Sequence, residues 1–416
     1  MLDLTKLAGQ LPQISQHLKQ ENVASQQRLI KALDLVQTVQ REQTHWQDVQ
    51  RQWHDRLLFH PAQPLDPIET AIAVAKPPAQ YSIFATDGSQ IAPSHHEIAY
   101  CYLINVGRIM LHYGQSLHPL LDSLPEVFYK SEDLYAARQW GIRPEEWLGY
   151  RRTVAEAELL AEMAVRWVEP PGPHDAPCVA MVDGSLIYWF LEGLPSEARD
   201  RLLTPMLDAW ETLRQAHIPL VGYLSASRSG ETTSFLRLPA CVFDEPNCLR
   251  HCGQEPSVQE PSAPDEQNAT LINGRQRYPC QVIDPIRDTT LWGTLLKPGE
   301  RGARWCSDAK ILDLYPEHLR IVACYVHVGA EVARVEMPLW VAEDTELFER
   351  TLGMVLAQVH KGYGYPVALA EAHNLAVVRG GDRHRFFALL EQQMIKSGLR
   401  NVGTSYKEAR KRGSIA

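Results

Sequence analysis

The chain has 416 residues, of which 45% are hydrophobic and 22% charged, and its 50 acidic and 41 basic side chains give a net charge of −9. This composition provides enough apolar surface for a large folded core and excludes a chain that is disordered over its whole length. The negative charge also excludes a protein coated with basic surface, so any binding of nucleic acid would need a local groove or a partner.

The first 60 residues predict helix. They contain no glycine or proline after Pro12, and apolar side chains between Val23 and Trp46 recur at intervals of three, four and seven residues. We therefore predict an N-terminal helical extension over residues 1–62, formed by one long amphipathic helix or a pair. Its apolar stripe needs a partner, and the sequence does not choose between the rest of the chain, a second copy and another protein.

From residue 81 to residue 224, the pattern predicts alternating strands and helices. Three β-rich runs, with Gly107 as a turn, come first and are followed by an irregular stretch to about residue 148: 81–86, 97–106 and 108–113. A helix, a buried strand, a second helix and a short strand follow: 151–168, 178–182, 197–215 and 219–224. This order is that of an α/β fold with an RNase H-like mixed sheet flanked by helices, which carries acidic residues at the ends of its strands.

The remaining segments complete one predicted domain over residues 80–390. An exposed Pro/Ser-rich insertion is expected at 243–268. Beyond it the pattern predicts two strands and two helices: 320–329, 331–341, 344–360 and a last helix after Pro366. Residues 391–416 are expected to form a C-terminal basic tail.

Two copies of the tripeptide Asp-Gly-Ser are the most informative motif. The copy at 87–89 ends one apolar strand and the copy at 183–185 ends another, with glycine where the backbone is expected to turn. If the strands are neighbours, Asp87 and Asp183 lie together, and their repulsion raises one pKa unless Mg²⁺ or Mn²⁺ is held between them. The alternative is that each aspartate only caps a turn or a helix, because Asp-Gly is a frequent turn dipeptide.

A third carboxylate is expected from the helix over 151–168, which carries Glu156, Glu158 and Glu162. Glu156 shares the apolar, inward face of the helix, whereas Glu158 and Glu162 share a solvated face. A carboxylate on a buried stripe is costly unless a partner neutralises it. We therefore predict that Glu156 is the third metal ligand, and the alternative is a buried pair with an arginine such as Arg152.

These segments together resemble the NurA nuclease family. The resemblance covers roughly residues 80–390 and includes, after the first tripeptide and the Glu156 helix, five short motifs in order: VAMVDGSL (179–186), GYLSASRS (222–229), DTTLWGTLLKPGERGARW (288–305), ARVEMPLWVA (333–342) and GYPVALAEAHNLA (364–376). The resemblance implies an RNase H-like fold, a homodimer and a two-metal site for Mn²⁺ or Mg²⁺. It also implies degradation of DNA from 5′ ends together with the hexameric ATPase HerA, in end resection during double-strand break repair.

The resemblance also implies roles for individual residues. Asp87 and Asp183 match the two metal-binding aspartates of the family, and Glu156 matches its helical glutamate. His373 matches the histidine that completes the active site, where it would ligate a metal or the phosphate or act as an acid. Arg228 stands where a lysine is expected, and an arginine can clamp a phosphate but does not readily shuttle a proton.

Three functions therefore follow as hypotheses. The first is a metal-dependent DNA nuclease, with possible single-strand endonuclease activity, that acts as a homodimer with a HerA-like ATPase. The second is a catalytically weak NurA-like adaptor subunit of such a DNA-translocating ATPase. The third is an RNase H-like enzyme that acts on RNA.

The sequence predicts a cytoplasmic protein that does not enter membranes. The N-terminus has no basic segment followed by an apolar run, and no window approaches the roughly 18 uninterrupted apolar residues of a membrane span.

Eight cysteines are too sparse for a disulfide scaffold in a chain of this length, and we expect most of them to be buried thiols. Cys248 and Cys252, with Cys241 and Cys280 nearby, could form a zinc knuckle. Their spacing is loose for such a site, which favours the interpretation as buried thiols.

Overall fold

The computed structural model describes residues 4–8, 11–94, 97–169, 175–252, 270–272 and 275–398. Most of the predicted insertion and most of the predicted basic tail lie outside these described residues. The chain divides into two compact units. Unit 1 comprises Met1–Val74, Leu224–Leu314 and Arg320–Leu339, and unit 2 comprises Ala75–Tyr223, Tyr315–Leu319 and Trp340–Ala416.

The helices and strands of the described residues are as follows. The helices are α1 (Leu4–Ala8), α2 (Leu11–Arg41), α3 (Gln43–Trp53), α4 (Ser131–Leu134), α5 (Pro144–Val168), α6 (Ser196–Gln215), α7 (Glu231–Phe235), α8 (Cys248–His251), α9 (Asp288–Leu295), α10 (Leu339–Glu343), α11 (Thr345–Lys361), α12 (Val367–Ala376) and α13 (Gly380–Lys396). The strands are β1 (Gln63–Pro64), β2 (Ile72–Ala73), β3 (Tyr81–Ile91), β4 (Tyr102–Tyr113), β5 (Leu120–Phe128), β6 (Cys178–Asp183), β7 (Leu220–Leu224), β8 (Thr270–Ile272), β9 (Arg275–Arg277), β10 (Glu300–Arg301), β11 (Trp305–Cys306), β12 (Ile321–His327) and β13 (Val332–Pro338).

Unit 2 is built on a mixed sheet with the strand order β5-β4-β3-β6-β7. Strands β3, β4 and β5 are antiparallel neighbours. Strands β6 and β7 run parallel to β3. The apolar runs of β3 and β6 are buried, as expected for central strands that are covered on both faces. The predicted RNase H-like α/β fold, a mixed sheet flanked by helices, is therefore confirmed.

Two details of the predicted meander were wrong. The sequence predicts a turn at Gly107, but Gly107 lies within the single long strand β4, opposite Asp87. Glycine is needed there because a Cβ would collide with the backbone of Ala372 and Ala376 in α12, which packs closely on the strand. The third strand of the meander is β5, in a segment expected to be irregular. It escaped detection because its side chains are largely exposed and it contains Pro125, both of which suit an edge strand.

Helices α5 and α12 cover β3 and carry candidate residues to it. Pro144 occupies the first turn of α5, where its missing N–H costs nothing, and Glu145 and Glu146 there complement the helix dipole. The buried stripe of α5 includes Val154 and Leu160, and the helix packs against β3 and α6. Helix α12 packs against β3 and β4.

Unit 1 combines the N-terminal helices with β1, β2 and β10–β13, of which β12 and β13 form an antiparallel pair. Part of the apolar stripe of α2, namely Ala32, Val36 and Val39, is buried in a core cluster of this unit. The first half of α2 carries exposed apolar side chains: Leu11, Ile14, Leu18 and Val23. The rest of the chain is thus one partner of the predicted N-terminal helix. Among the described residues, no helix combines the length and apolar character needed to span a membrane.

Candidate active site

The strand register brings the two predicted aspartates side by side. In the parallel pair β3 and β6, Thr86 is opposite Val182, and each aspartate follows one position later. Asp87 is half-buried and Asp183 is exposed. Their carboxylates therefore occupy the same edge of the sheet, as the repeated tripeptide predicts.

Alternation along β3 sends its side chains to two different helices. The Thr86 hydroxyl donates to the Glu156 carbonyl oxygen in α5 at 3.0 Å. The Ser89 hydroxyl donates to the Ala376 carbonyl oxygen at the end of α12 and accepts a hydrogen bond from Val378 N at 3.1 Å. Thr86, at an even position of β3, thus contacts α5, and Ser89, at an odd position, contacts the end of α12. Asp87 also occupies an odd position and faces α12.

Gly88 makes room for the third carboxylate. A Cβ at this position would collide with Glu156 Oε1 and with the aliphatic part of Arg152. Because Gly88 has no side chain, Glu156 reaches across the strand from α5 toward the aspartates. Glu158 and Glu162 are exposed on the far side of the helix, where Glu162 pairs with Arg166. The structure therefore places Glu156, the glutamate that the helical spacing singles out, beside the two aspartates.

Glu156 is held in a poorly compensated environment. Its side chain is 12% exposed and its Oε1 lies 3.1 Å from Arg152 Nε. The two atoms are not aligned as a hydrogen bond, and neither has a hydrogen-bond partner among the described residues. Burial raises the pKa of Glu156 to about 8; Arg152 and, to a smaller extent, a hydrogen bond from the Gly88 backbone oppose this shift, and the charges of Asp87 and Asp183 add to it. The predicted pair with Arg152 is therefore present, but it does not satisfy the carboxylate.

Asp87 is hydrogen-bonded to the predicted histidine. His373 Nδ1 lies 2.7 Å from Asp87 Oδ2, and the Gly88 amide donates to Asp87 Oδ1 at 2.8 Å. His373 projects from α12 and is 62% exposed at its side chain, so its second ring nitrogen remains available to a ligand. This contact orients the imidazole toward the carboxylate edge.

Asp183 has a partner that the sequence analysis did not identify. The Tyr365 hydroxyl donates a hydrogen bond to Asp183. Although Asp183 is exposed as a residue, partial burial of its carboxyl group raises its pKa, and the Tyr365 hydrogen bond opposes that shift. Burial, and then the Asp183 charge, raise the pKa of Tyr365 far above its ordinary range. Tyr365 lies in the motif at 364–376, directly before Pro366 and α12, so its proximity to His373 in the chain was the available signal.

The three carboxylate side chains line one cleft of about 410 Å³ in unit 2. One wall of the cleft is aromatic, and it includes Tyr188, Trp189, Phe190 and Trp210. Trp189 is 42% exposed and Phe190 is 36% exposed. The Phe190 ring stacks on Tyr150 with its centroid 4.8 Å away, which fixes the wall in place. The cleft therefore combines surplus negative charge with flat apolar surfaces.

The donor set of the cleft suits a hard divalent cation. Carboxylate oxygens are the ligands that Mg²⁺ and Mn²⁺ prefer. A cation in the cleft would stabilise the ionised forms of Glu156 and Asp183 and so lower their raised pKa values. In the described ranges, no three His, Cys, Asp or Glu side chains already have the arrangement of a single-ion site. Arg228, the fifth predicted residue, is an exposed residue of unit 1 and is not among those that unit 2 gathers at the cleft.

A family model matches the segment that carries the motifs. The family model of the NurA domain matches residues 81–378. The crystal structure of the NurA nuclease from Sulfolobus solfataricus is similar, with 12% sequence identity and a TM-score of 0.49, over 95% of this chain and 98% of that chain. The crystal structure of LC9-RNase H1, a type 1 RNase H with the type 2 active-site motif, has 12% identity and a TM-score of 0.21, over 39% of this chain and 72% of that chain. No curated protein matches the sequence.

Proposed function

The chain belongs to the NurA domain family, and we propose from this premise that it is a divalent-metal-dependent deoxyribonuclease. One observation carries the proposal: Asp87, Glu156 and Asp183 line one cleft, and burial leaves Glu156 with an unsatisfied oxygen. A cluster of this kind is unfavourable in a merely structural role, because partial burial of several carboxylates costs free energy unless a bound cation offsets it.

The three carboxylates would hold Mn²⁺ or Mg²⁺ at the edge of the sheet. The bound cations would supply Lewis acidity toward the phosphate and lower the pKa of a bound water. Tyr365 fixes the Asp183 carboxylate by its hydrogen bond, and Arg152 keeps a positive charge beside Glu156. These contacts preorganise the ligands before a cation arrives.

His373 is suited to hold or move a proton at the cleft. Its Nδ1 is engaged with Asp87, which leaves Nε2 as the atom that faces a substrate. Imidazole has an ordinary pKa of about 6.5, so it changes protonation state near neutral pH. His373 therefore acts in this proposal as a phosphate ligand or an acid, oriented by Asp87.

The substrate proposed is DNA that enters the cleft as an unpaired strand. The exposed rings of Trp189 and Phe190 lie in the same cleft as the carboxylates, where they can stack on bases without reading sequence. The acidic chain as a whole does not attract a polyanion, so binding relies on the cations, the stacking wall and local arginines.

The biological role proposed is 5′-end resection at double-strand breaks, by a cytoplasmic homodimer that acts with a HerA-type ATPase. Family membership supports this role. The exposed apolar side chains in the first half of α2 are available to a second copy or to the ATPase.

The test is a nuclease assay of the full chain on linear single-stranded and double-stranded DNA with Mn²⁺, Mg²⁺ or EDTA. We expect cleavage with a metal, none with EDTA, and a loss of 10³-fold or more, roughly the cost of removing a key catalytic group, in Asp87→Asn and in Asp183→Asn. Asp208→Asn, which changes an exposed aspartate of α6, is the matched control and should retain full activity.

The same assay separates the other two functions. Absence of cleavage by the wild type, even with the cognate ATPase added, would favour the adaptor subunit. Cleavage of an RNA strand in preference to the DNA strand of the same sequence would favour an RNase H-like enzyme.

A further inference from the structure

Four of the eight cysteines meet at one small apolar cavity in unit 1. Cys241, Cys248, Cys252 and Cys280 all line this cavity, whose volume of about 10 Å³ is close to the space that one water occupies. The other walls are mostly apolar: Val242, Phe243, Pro246 and Pro279. The lining is separate from the carboxylate cleft and shares no residue with it.

The local backbone explains how the thiols converge. Cys248 and Cys252 are four residues apart across the single turn of α8, and Cys252 N donates to Cys248 O at 2.7 Å. Residues at this spacing lie on one face of a helix. Cys241 ends the preceding turn, because its amide donates to Leu238 O at 3.1 Å. Cys280 comes from a distant part of the sequence and lies 3.4 Å from Arg237 Nη2.

One histidine, His251, lines the same cavity. The His251 ring stacks on Phe243 with centroids 4.3 Å apart and an interplanar angle of 11°. This stacking contact accounts for the position of His251 without a metal. The converging donors are therefore four sulfur atoms, which is the full ligand set of a tetrathiolate site.

Four thiolates around one cavity would repel one another in the absence of a cation. Burial, together with smaller contributions from the other three thiols, raises the pKa of Cys252 to about 11. Burial also raises the pKa of Cys241, with smaller contributions from Cys280 and Cys248. A thiophilic cation removes this mutual repulsion, because thiolate and not thiol is the ligand form.

We propose that Cys241, Cys248, Cys252 and Cys280 ligate a thiophilic metal centre through four thiolates. Tetrahedral Zn²⁺ and an iron–sulfur cluster are the two centres that share this chemistry. Within the described part of the chain, no three such side chains already have single-ion spacing, so a Zn²⁺ ion would draw the sulfurs inward. Either centre would tie Cys280 to the α8 turn.

The first experiment measures metal and sulfide in the full chain, purified without oxygen. The expected result is either about one zinc per chain, with no visible absorption, or iron and acid-labile sulfide in equal amounts, with a visible absorption band. The two arms distinguish the two centres. A preparation that contains neither, and that takes up neither Zn²⁺ nor a reconstituted cluster, would overturn the proposal.

Variants then assign the ligands. Cys248→Ser and Cys280→Ser should each lose most of the bound metal. Cys306→Ser changes a thiol of the same unit that does not line the cavity, and it should retain the metal. Equal metal content in all three variants would contradict the assignment.

A measurement on the wild type covers the case in which the serine variants do not fold. Alkylation of the native chain followed by mass spectrometry should leave the four proposed ligands unmodified while metal is bound. A chelator that strips the metal should make these four react and leave Cys306 unchanged. Reaction of the four thiols at the same rate with and without metal would refute the proposal, and none of these readouts depends on nuclease activity.

Discussion

The two Asp-Gly-Ser tripeptides have the same sequence and occupy different structures. The tripeptide at 87–89 lies inside strand β3, which continues to Ile91. The tripeptide at 183–185 ends β6, and Gly184 turns the chain with a φ of +123°. Only the aspartate has the same place in both, at the common edge of the sheet.

The glycines and serines do different work in the two copies. Gly88 provides space for Glu156, whereas a Cβ on Gly184 would meet nothing within 4 Å, so there the backbone conformation alone requires glycine. Ser89 joins β3 to α12 through two hydrogen bonds, whereas Ser185 accepts a local hydrogen bond from Ile187 N at 3.0 Å. In the two copies of the motif, the aspartate has the same position, but the glycine and the serine have different functions.

The substitutions Gly88→Ala and Gly184→Ala should separate these functions. In Gly88→Ala the new methyl group displaces the Glu156 carboxylate, and we expect nuclease activity to fall about 100-fold, as for a misplaced catalytic group. The free energy of unfolding should change by no more than about 1 kcal/mol, because the atoms that must move, in the Glu156 carboxylate and the Arg152 stem, belong to long side chains and not to the backbone. Gly184→Ala should instead lose about 1–3 kcal/mol of stability through backbone strain.

Nuclease assays and urea unfolding of both variants measure this difference. If Gly88→Ala were fully active, Glu156 would not need its present position over the strand. If Gly184→Ala were as stable as the wild type, the turn at the second tripeptide would tolerate an ordinary residue.

Glu156 makes the stability of the metal-free protein depend on pH. Its pKa is raised from 4.5 to about 8, so the folded chain retains a proton that the unfolded chain releases between these values. The free energy of unfolding should therefore fall as pH rises through this window, by about 2 kcal/mol between pH 6 and pH 8. Below the unfolded pKa both states are protonated and the effect vanishes.

Urea unfolding in EDTA at several pH values tests this dependence. Glu156→Gln should remove most of the slope, because glutamine does not titrate. Glu158→Gln, which changes an exposed glutamate of the same helix, is the control and should keep the slope. Equal slopes in the two variants would show that Glu156 is ionised in the folded protein without metal.

The chain that follows the second tripeptide provides most of the aromatic wall of the cleft, namely Tyr188, Trp189 and Phe190. Trp189→Ala should weaken the binding of a single-stranded oligonucleotide about tenfold, which is the usual contribution of stacking one base. Binding measured by fluorescence anisotropy in the Asp183→Asn background avoids cleavage during the titration. The loss should disappear with an oligonucleotide that lacks bases, and an equal loss with both strands would rule out stacking.

The sequence was sufficient for the central features of the fold and the site. Continuous apolar runs before Asp87 and Asp183 predict two buried neighbouring strands, and helical spacing separates Glu156 from Glu158. The confirmed fold class, a mixed sheet flanked by helices, rests on these runs. The metal-binding roles of the residues stay predictions.

The missed features depend on contacts between distant segments. The sequence predicts that the first tripeptide ends its strand, because Asp-Gly is typical of turns. The strand instead continues, and Gly88 is a glycine because Glu156 lies against it. Gly107 was likewise assigned to a turn, although α12 crosses it. Tyr365 was overlooked because a hydroxyl partner of Asp183 has no spacing signature. In each case the residue type is explained by a neighbour that is far away in the sequence.

The serines provide the finest test of the difference between the tripeptides. Ser89→Ala leaves the Val378 amide without its acceptor, whereas the Ala376 carbonyl still accepts from Asn105 Nδ2 at 2.8 Å. We expect Ser89→Ala to lose about 1 kcal/mol of stability, and Ser185→Ala to lose less because its bond with the Ile187 amide spans only two residues, whereas Ser89 joins β3 to the chain after α12. Activity should fall a few-fold only in Ser89→Ala, because α12 carries His373 and its end is anchored by Ser89. Urea unfolding measures the stability of both serine variants, and the nuclease assay measures their activity. Equal losses of stability and activity in the two variants would mean that the first tripeptide does not position α12. Its place within the strand would then serve only to make room for Glu156.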